Sequence, residues 1–153
     1  MNKKDAFQNA VDAYSNKDYK TARRLWLPLA EQGDAKAQYN LGLMYSKGQG
    51  VPQDYKEGVK WYRLSAEQGN AEAQYNVGLK YYKGQGVPQD YVLAHMWLNL
   101  SGSNGYEDAV GNRNKVEKKM TKQQIEKAQD IAREMAKTWG PNKGPWNETD
   151  HSK

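Results

Sequence analysis

The chain has 153 residues, 23 of them lysine or arginine and 18 aspartate or glutamate, with 37% in the broad hydrophobic class and no cysteine. That length supports one domain rather than two cores, and the missing cysteines exclude disulfide frameworks, cysteine zinc sites, iron–sulfur clusters and a cysteine nucleophile. The net charge of +5 is split between the ends, with 6 basic and 3 acidic groups in residues 1–30, 7 and 7 in 31–103, and 8 and 6 in 104–139, so no clustered basic track exists for phosphates and no nucleic-acid partner is expected.

Two histidines, His95 and His151, leave little for a metal site, and neither metal nor cofactor is expected. No run approaches the roughly 20 apolar residues of a membrane span, and the start MNKKDAFQNAV lacks the apolar core of a signal peptide. The chain therefore reads as soluble and cytoplasmic as given, or periplasmic or secreted if a leader has been removed. The aromatic residues are 11 tyrosines and 5 tryptophans against the single Phe7, so rings with a polar tip must fill much of the core.

In chain order, Ala6 to Tyr14 begins the helical pattern, and YKTARRLWLPLAEQG from Tyr19 completes a degenerate first unit. From Glu31 the chain repeats at 36 residues: EQGDAKAQYNLGLMYSKGQGVPQDY, residues 31–55, and EQGNAEAQYNVGLKYYKGQGVPQDY, residues 67–91, agree at 20 of 25 positions. Each unit reads as two helices. Gly33 then Asp34, and Gly69 then Asn70, supply a left-handed stop followed at once by an N-cap.

The first helix of each unit has an apolar face, Ala37, Leu41, Met44 and Tyr45, repeated as Ala73, Val77, Lys80 and Tyr81 with Lys80 as an intrusion. Gly42 and Gly78 recur beside that face. Mid-helix glycine costs about 1 kcal/mol relative to alanine, so its recurrence predicts a neighbouring helix too close for a side chain. The KGQGVPQDY segments break the helix, and Asp54 with Glu57 predicts a capping box where it restarts. The second helix then directs Tyr55, Gly58, Trp61, Tyr62 and Ser65 toward neighbours.

Gly105 falls at the Gly69 position and opens a drifted fourth unit. Thr121 and Gln124 predict another capping box, leading the stripe Ile125, Ala128, Ile131, Ala132 and Met135 of a closing helix whose charges, including Glu126, Lys127, Arg133 and Lys137, face water. The tail from Gly140, containing Trp146, has no periodicity and is expected to be disordered. The expected organisation is one repeat domain over 1–139, with units about 5–33, 34–69, 70–105 and 106–139, and a tail over 140–153.

On the units AEQGDAKAQYNLGLMYSKGQGVPQDY and AEQGNAEAQYNVGLKYYKGQGVPQDY the chain resembles the Sel-one-like repeat family, a branch of the tetratricopeptide-like superfamily. The resemblance implies an all-α fold, an α/α solenoid of about four stacked helical hairpins in a right-handed superhelix. It also implies a protein-binding scaffold or adaptor whose concave groove is lined by first helices. Carried onto the matched units, the groove candidates are Lys36, Tyr39, Asn40, Leu43 and Lys47, then Glu72, Tyr75, Asn76, Leu79, Tyr82 and Lys83. Asp108, Lys115, Lys118 and Lys119 take the corresponding places in the fourth unit, and the lysines would make one end of the groove basic and suited to an acidic peptide end.

Tyrosine offers rigid contact area at low entropy cost, and asparagine can pair with a peptide backbone. Packing is the competing role for Tyr39 and Tyr75. No H-E-x-x-H, G-x-S-x-G or G-x-x-x-x-G-K-[ST] pattern occurs, and His95 reads as a surface or satisfied interior histidine, so no catalytic residue is expected. Two alternatives remain open at this level: a hydrolase of β-lactam or cell-wall substrates, as linked to cysteine-rich relatives whose cysteines are absent here, and a self-associating structural protein.

Overall fold

Residues 1–139 are described by the structure, a computed structural model, and Trp146 with the rest of the tail from Gly140 lies outside the described residues. Among the described residues eight α-helices follow one another: α1 (Lys3–Ser15), α2 (Tyr19–Glu31), α3 (Ala35–Lys47), α4 (Tyr55–Glu67), α5 (Ala71–Lys83), α6 (Tyr91–Ser103), α7 (Glu107–Glu117) and α8 (Lys122–Thr138). No strand occurs among the described residues. Each helix from α1 to α6 packs on its successor, giving a helical repeat solenoid. None of the described helices is long and apolar enough to cross a membrane.

The stops and starts follow the local chemistry. Gly33 and Gly69 take positive φ, and Asp34 and Asn70 then accept the Ala37 and Ala73 amides at 3.2 and 2.9 Å. The Thr121–Gln124 capping box is complete, with both reciprocal bonds present. The box expected at Asp54 is only half formed. Asp54 Oδ1 accepts the Glu57 amide at 3.1 Å, but the Asp54 amide already donates to the Tyr45 carbonyl at 2.9 Å, so Glu57 has no cap donor to accept from. Its carboxylate turns to Lys60 at 3.7 Å instead.

Gly42 and Gly78 mark the close approach that their recurrence predicts. A Cβ on Gly42 would lie 2.5 Å from the Tyr62 ring, and one on Gly78 would lie 2.9 Å from Leu98 Cγ. The hairpins α3/α4 and α5/α6 close because the first helix presents bare backbone to a bulky side chain of the second.

A polar link that repeats in register joins successive units and closes each hairpin. Gln38 Nε2 donates to the Ala30 carbonyl at 3.1 Å and Gln38 Oε1 accepts from Gln68 at 2.9 Å, while Ser65 Oγ donates to the Ala35 carbonyl at 2.7 Å. One repeat later Gln74 donates to Ala66 O at 3.0 Å and accepts from Asn104 at 2.9 Å, and Ser101 donates to Ala71 O at 2.7 Å. The glutamines bond carbonyls in the last turns of α2 and α4, where helix ends leave carbonyls short of intrahelical partners, whereas the serines bond carbonyls at the starts of α3 and α5.

The last two helices depart from the pattern. α7 and α8 both lie chiefly against α6 and hardly touch each other. The reason lies in composition: α7 (EDAVGNRNKVE) buries only Ala109 and Val116, too little to hold a hairpin partner. α6 (YVLAHMWLNLSGS) is apolar almost all round and buries Ala94 to Leu98 without interruption, as a helix enclosed on several sides must. Trp97 of α6 stacks on Trp139 just past α8, with ring centroids 5.1 Å apart and planes at 4°.

Candidate functional site

The first helices α3, α5 and α7 carry the residues that the family resemblance assigns to a binding groove. Lys36, Tyr39, Asn40 and Leu43 are half-buried and Lys47 is exposed; Tyr75, Asn76, Leu79 and Tyr82 are half-buried, while Glu72 and Lys83 are exposed. Of these, Tyr39, Leu43, Tyr75, Leu79 and Tyr82 rest on the core with one side. A half-buried ring or leucine packs with one side and leaves the other accessible, so packing describes only one side of Tyr39 and Tyr75.

The structure brings several candidates together across helices. Glu72 lies close enough to Tyr39 for its charge to add to burial, the main cause, in raising the Tyr39 hydroxyl well above its usual range. One repeat on, Tyr75 is raised by burial first and then by Tyr106 and Asp108. Lys119 Nζ lies 5.7 Å from the Tyr82 ring centroid, while Lys115 and Lys118 are exposed on the same short helix segment. The surface is thus continuous over three units.

Two members of this surface are not among the positions carried over from the resemblance. Tyr106 places its ring 4.7 Å from that of Tyr75, and Asn112 Nδ2 donates to the Tyr75 hydroxyl at 2.9 Å. The signal was present in the 36-residue register: Asn112 follows Asn40 and Asn76, and Tyr106 stands at the place of Asp34 and Asn70. The asparagines are also partly occupied, since Asn76 donates to Glu72 O at 2.9 Å and Asn112 to Asp108 O at 3.0 Å.

Residues outside this surface serve the fold. Lys80, the intrusion in an apolar face, lays its Nζ 4.3 Å from the Tyr55 ring centroid and donates to Gln85 at 3.1 Å; burial and then Lys83 lower its pKa. His95 is fully buried and its Nε2 lies 2.8 Å from Glu117 Oε1, linking α6 to α7. The second glycine of each G-Q-G segment meets the start of the preceding second helix, Gly50 at Tyr19 and Gly86 at Tyr55, as interhelical punctuation does. Among the described residues no three histidine, aspartate or glutamate side chains could hold a metal ion.

The buried tyrosines give a measurable pH response. Burial pushes Tyr62 from 10.0 up to about 12, so the folded chain holds this proton more tightly than the unfolded chain. The stability this contributes is fully present below pH 10 and is lost as pH rises through about 12. Tyrosinate absorbance should therefore rise in two phases, the later one accompanied by loss of helicity, and Tyr62→Phe should diminish the later phase. A single phase near 10 with helicity intact would contradict this.

Three Sel1 repeats match the chain, at residues 13–34, 35–70 and 71–106. Among solved structures it is similar to c5321, a protective antigen present in uropathogenic Escherichia coli strains displaying an SLR fold, at 29% identity and a TM-score of 0.86, covering 91% of this chain and 31% of that one. It is also similar to a Sel1 repeat protein from Oxalobacter formigenes, at 28% identity and a TM-score of 0.60, covering 70% of this chain and 59% of that one. The chain thus spans less than two thirds of either protein. No curated protein sequence matches it at a significant level. Repeats of this kind commonly form protein-interaction scaffolds. With three matched repeats and an SLR fold over most of its length, the chain belongs to the Sel1 repeat family.

Proposed function

We propose that this protein is a non-enzymatic scaffold or adaptor, acting as one unit over residues 1–139, that holds a segment of a partner protein across α3, α5 and α7. The observation that carries the reading is the continuous row of half-buried Tyr39, Leu43, Tyr75, Leu79 and Tyr82. Tyrosine and leucine already fixed on one side lose little entropy when a partner covers the other. At the far end Lys115, Lys118 and Lys119 favour acidic residues at one end of the segment.

A photoreactive amino acid at Asn76 should crosslink the partner in cells of the source organism, and the same group at the exposed Leu64 of α4 should not. Tyr39→Ala combined with Tyr75→Ala should abolish the Asn76 crosslink while helicity by circular dichroism persists. Equal crosslinking from Leu64, or an Asn76 crosslink indifferent to the double substitution in a folded chain, would refute the reading.

A further inference from the structure

Over α5 and α7 the surface has two edges of opposite sign. Lys47 and Lys83 end α3 and α5 and Lys119 follows one repeat later, just past α7, whereas Glu72 and Asp108 occupy the first turns of α5 and α7 and Lys36 takes that place in α3. The helix dipole accounts for this arrangement of sign, since carboxylates suit N-termini and ammonium groups suit C-termini. It does not account for the tyrosines gathered at the acidic edge.

Tyr106 is the informative one. At its place in the two preceding units, Asp34 and Asn70 cap their helices with side-chain bonds. Tyr106 makes no such bond, so α7 forgoes a cap that any of four common polar residues would supply. What the position gains is a ring 4.7 Å from Tyr75, within electrostatic reach of both Asp108 and Glu72. The ring also packs against the core, and departures of this kind from local rules collect at functional sites.

The edge that results has half-buried ring faces beside exposed carboxylates, and neither Glu72 nor Asp108 is paired with a lysine or arginine among the described residues. A cation over a tyrosine face is attracted by the ring. A guanidinium can also stack flat on that ring while its N–H fork engages a carboxylate, which an ammonium cannot do.

We propose that Tyr39, Tyr75 and Tyr106, with Glu72 and Asp108, form a subsite for an arginine side chain of the bound segment. The subsite rests on the scaffold reading and adds direction to it: arginine lies at the acidic edge and acidic residues lie along the lysine edge.

The test uses the whole chain and a phage-displayed library of random peptides, followed by anisotropy measurements on synthetic versions of those selected. Selected peptides should contain an arginine whose replacement by glutamine weakens binding about tenfold, as loss of a charge-assisted pair does. The same replacement should have little effect against Glu72→Gln/Asp108→Asn. Tyr106→Asn, which restores the cap and keeps α7 folded, should weaken the arginine peptides and leave their glutamine versions unchanged.

Peptides that lose binding to Leu43→Asp/Leu79→Asp, yet carry no basic residue or ignore Glu72→Gln/Asp108→Asn, would overturn the arginine subsite and leave the scaffold standing. Selection of no peptide, or of peptides indifferent to Leu43→Asp/Leu79→Asp, would overturn both.

Discussion

Gly86→Ala should destabilise the chain by about 3 kcal/mol, combining a left-handed backbone penalty of about 1–2 kcal/mol with overpacking. Gly86 has a φ of +79°, and a Cβ there would lie 2.5 Å from Tyr55 O, 2.6 Å from Tyr55 C and 2.8 Å from Lys56 N. All three atoms are backbone at the start of α4, so no rotamer change makes room. The loop between α5 and α6 must lift off α4, and it carries with it the Asp90 amide bond to Tyr81 O at 3.0 Å. Gly111→Ala in α7 is the control, because nothing lies within 4 Å of a Cβ there and its φ is ordinary. It should be neutral or stabilising by up to about 1 kcal/mol, the difference in helix propensity. Urea unfolding of both variants measures the contrast, and equal midpoints would show that the G-Q-G loop yields freely.

Trp97→Ala should cost about 4 kcal/mol, in the range for removing a buried tryptophan. Trp97 is 2% exposed and sits in α6, the helix against which α5, α7 and α8 all pack. Its stacking on Trp139 ties the end of α8 to the rest, since α8 has few other buried residues, Ala128 and Ala132. The loss should therefore spread unevenly, as nearest-neighbour stacking predicts. Amide exchange in α8 should accelerate most, and that in α3, whose buried Ala37, Leu41 and Met44 belong to the other core cluster, should accelerate least. Uniform acceleration along the chain would instead indicate a single cooperative core.

The fold was legible where the repeat was strong. The glycine stops, the Asp34 and Asn70 caps and the close approach at Gly42 and Gly78 all follow from residues that recur at 36. Where recurrence fades, composition takes over and is harder to read: the enclosure of α6 by three helices follows from its apolar circumference, yet the expectation of a last hairpin came from extending the register. The capping box at Asp54 shows another limit, because a three-residue pattern does not reveal that Tyr45 O already accepts the cap amide. For the candidate surface, the family resemblance selected residues on one face of α3 and α5, none of them fully buried. It missed Tyr106, whose aromatic ring stands where a capping residue was the natural expectation. Gln38 and Gln74 went unremarked for a related reason, since a glutamine beside a tyrosine in a helix reads as surface until its partner, 30 residues away, is seen.

That glutamine link has a bearing on how the chain could vary in length. The unit between Gly33 and Gly69 donates from Gln38 to the Ala30 carbonyl of the unit before it and, through the Ala66 carbonyl, receives a bond from Gln74 of the unit after it, while Gln68 holds Gln38 from within; the next unit has the same internal pair at Asn104 and Gln74. Like a rod with matching male and female threads, such a segment can be duplicated or removed in whole multiples of 36 residues without redesigning either neighbour, and each addition would extend the lysine and tyrosine rows by one rung.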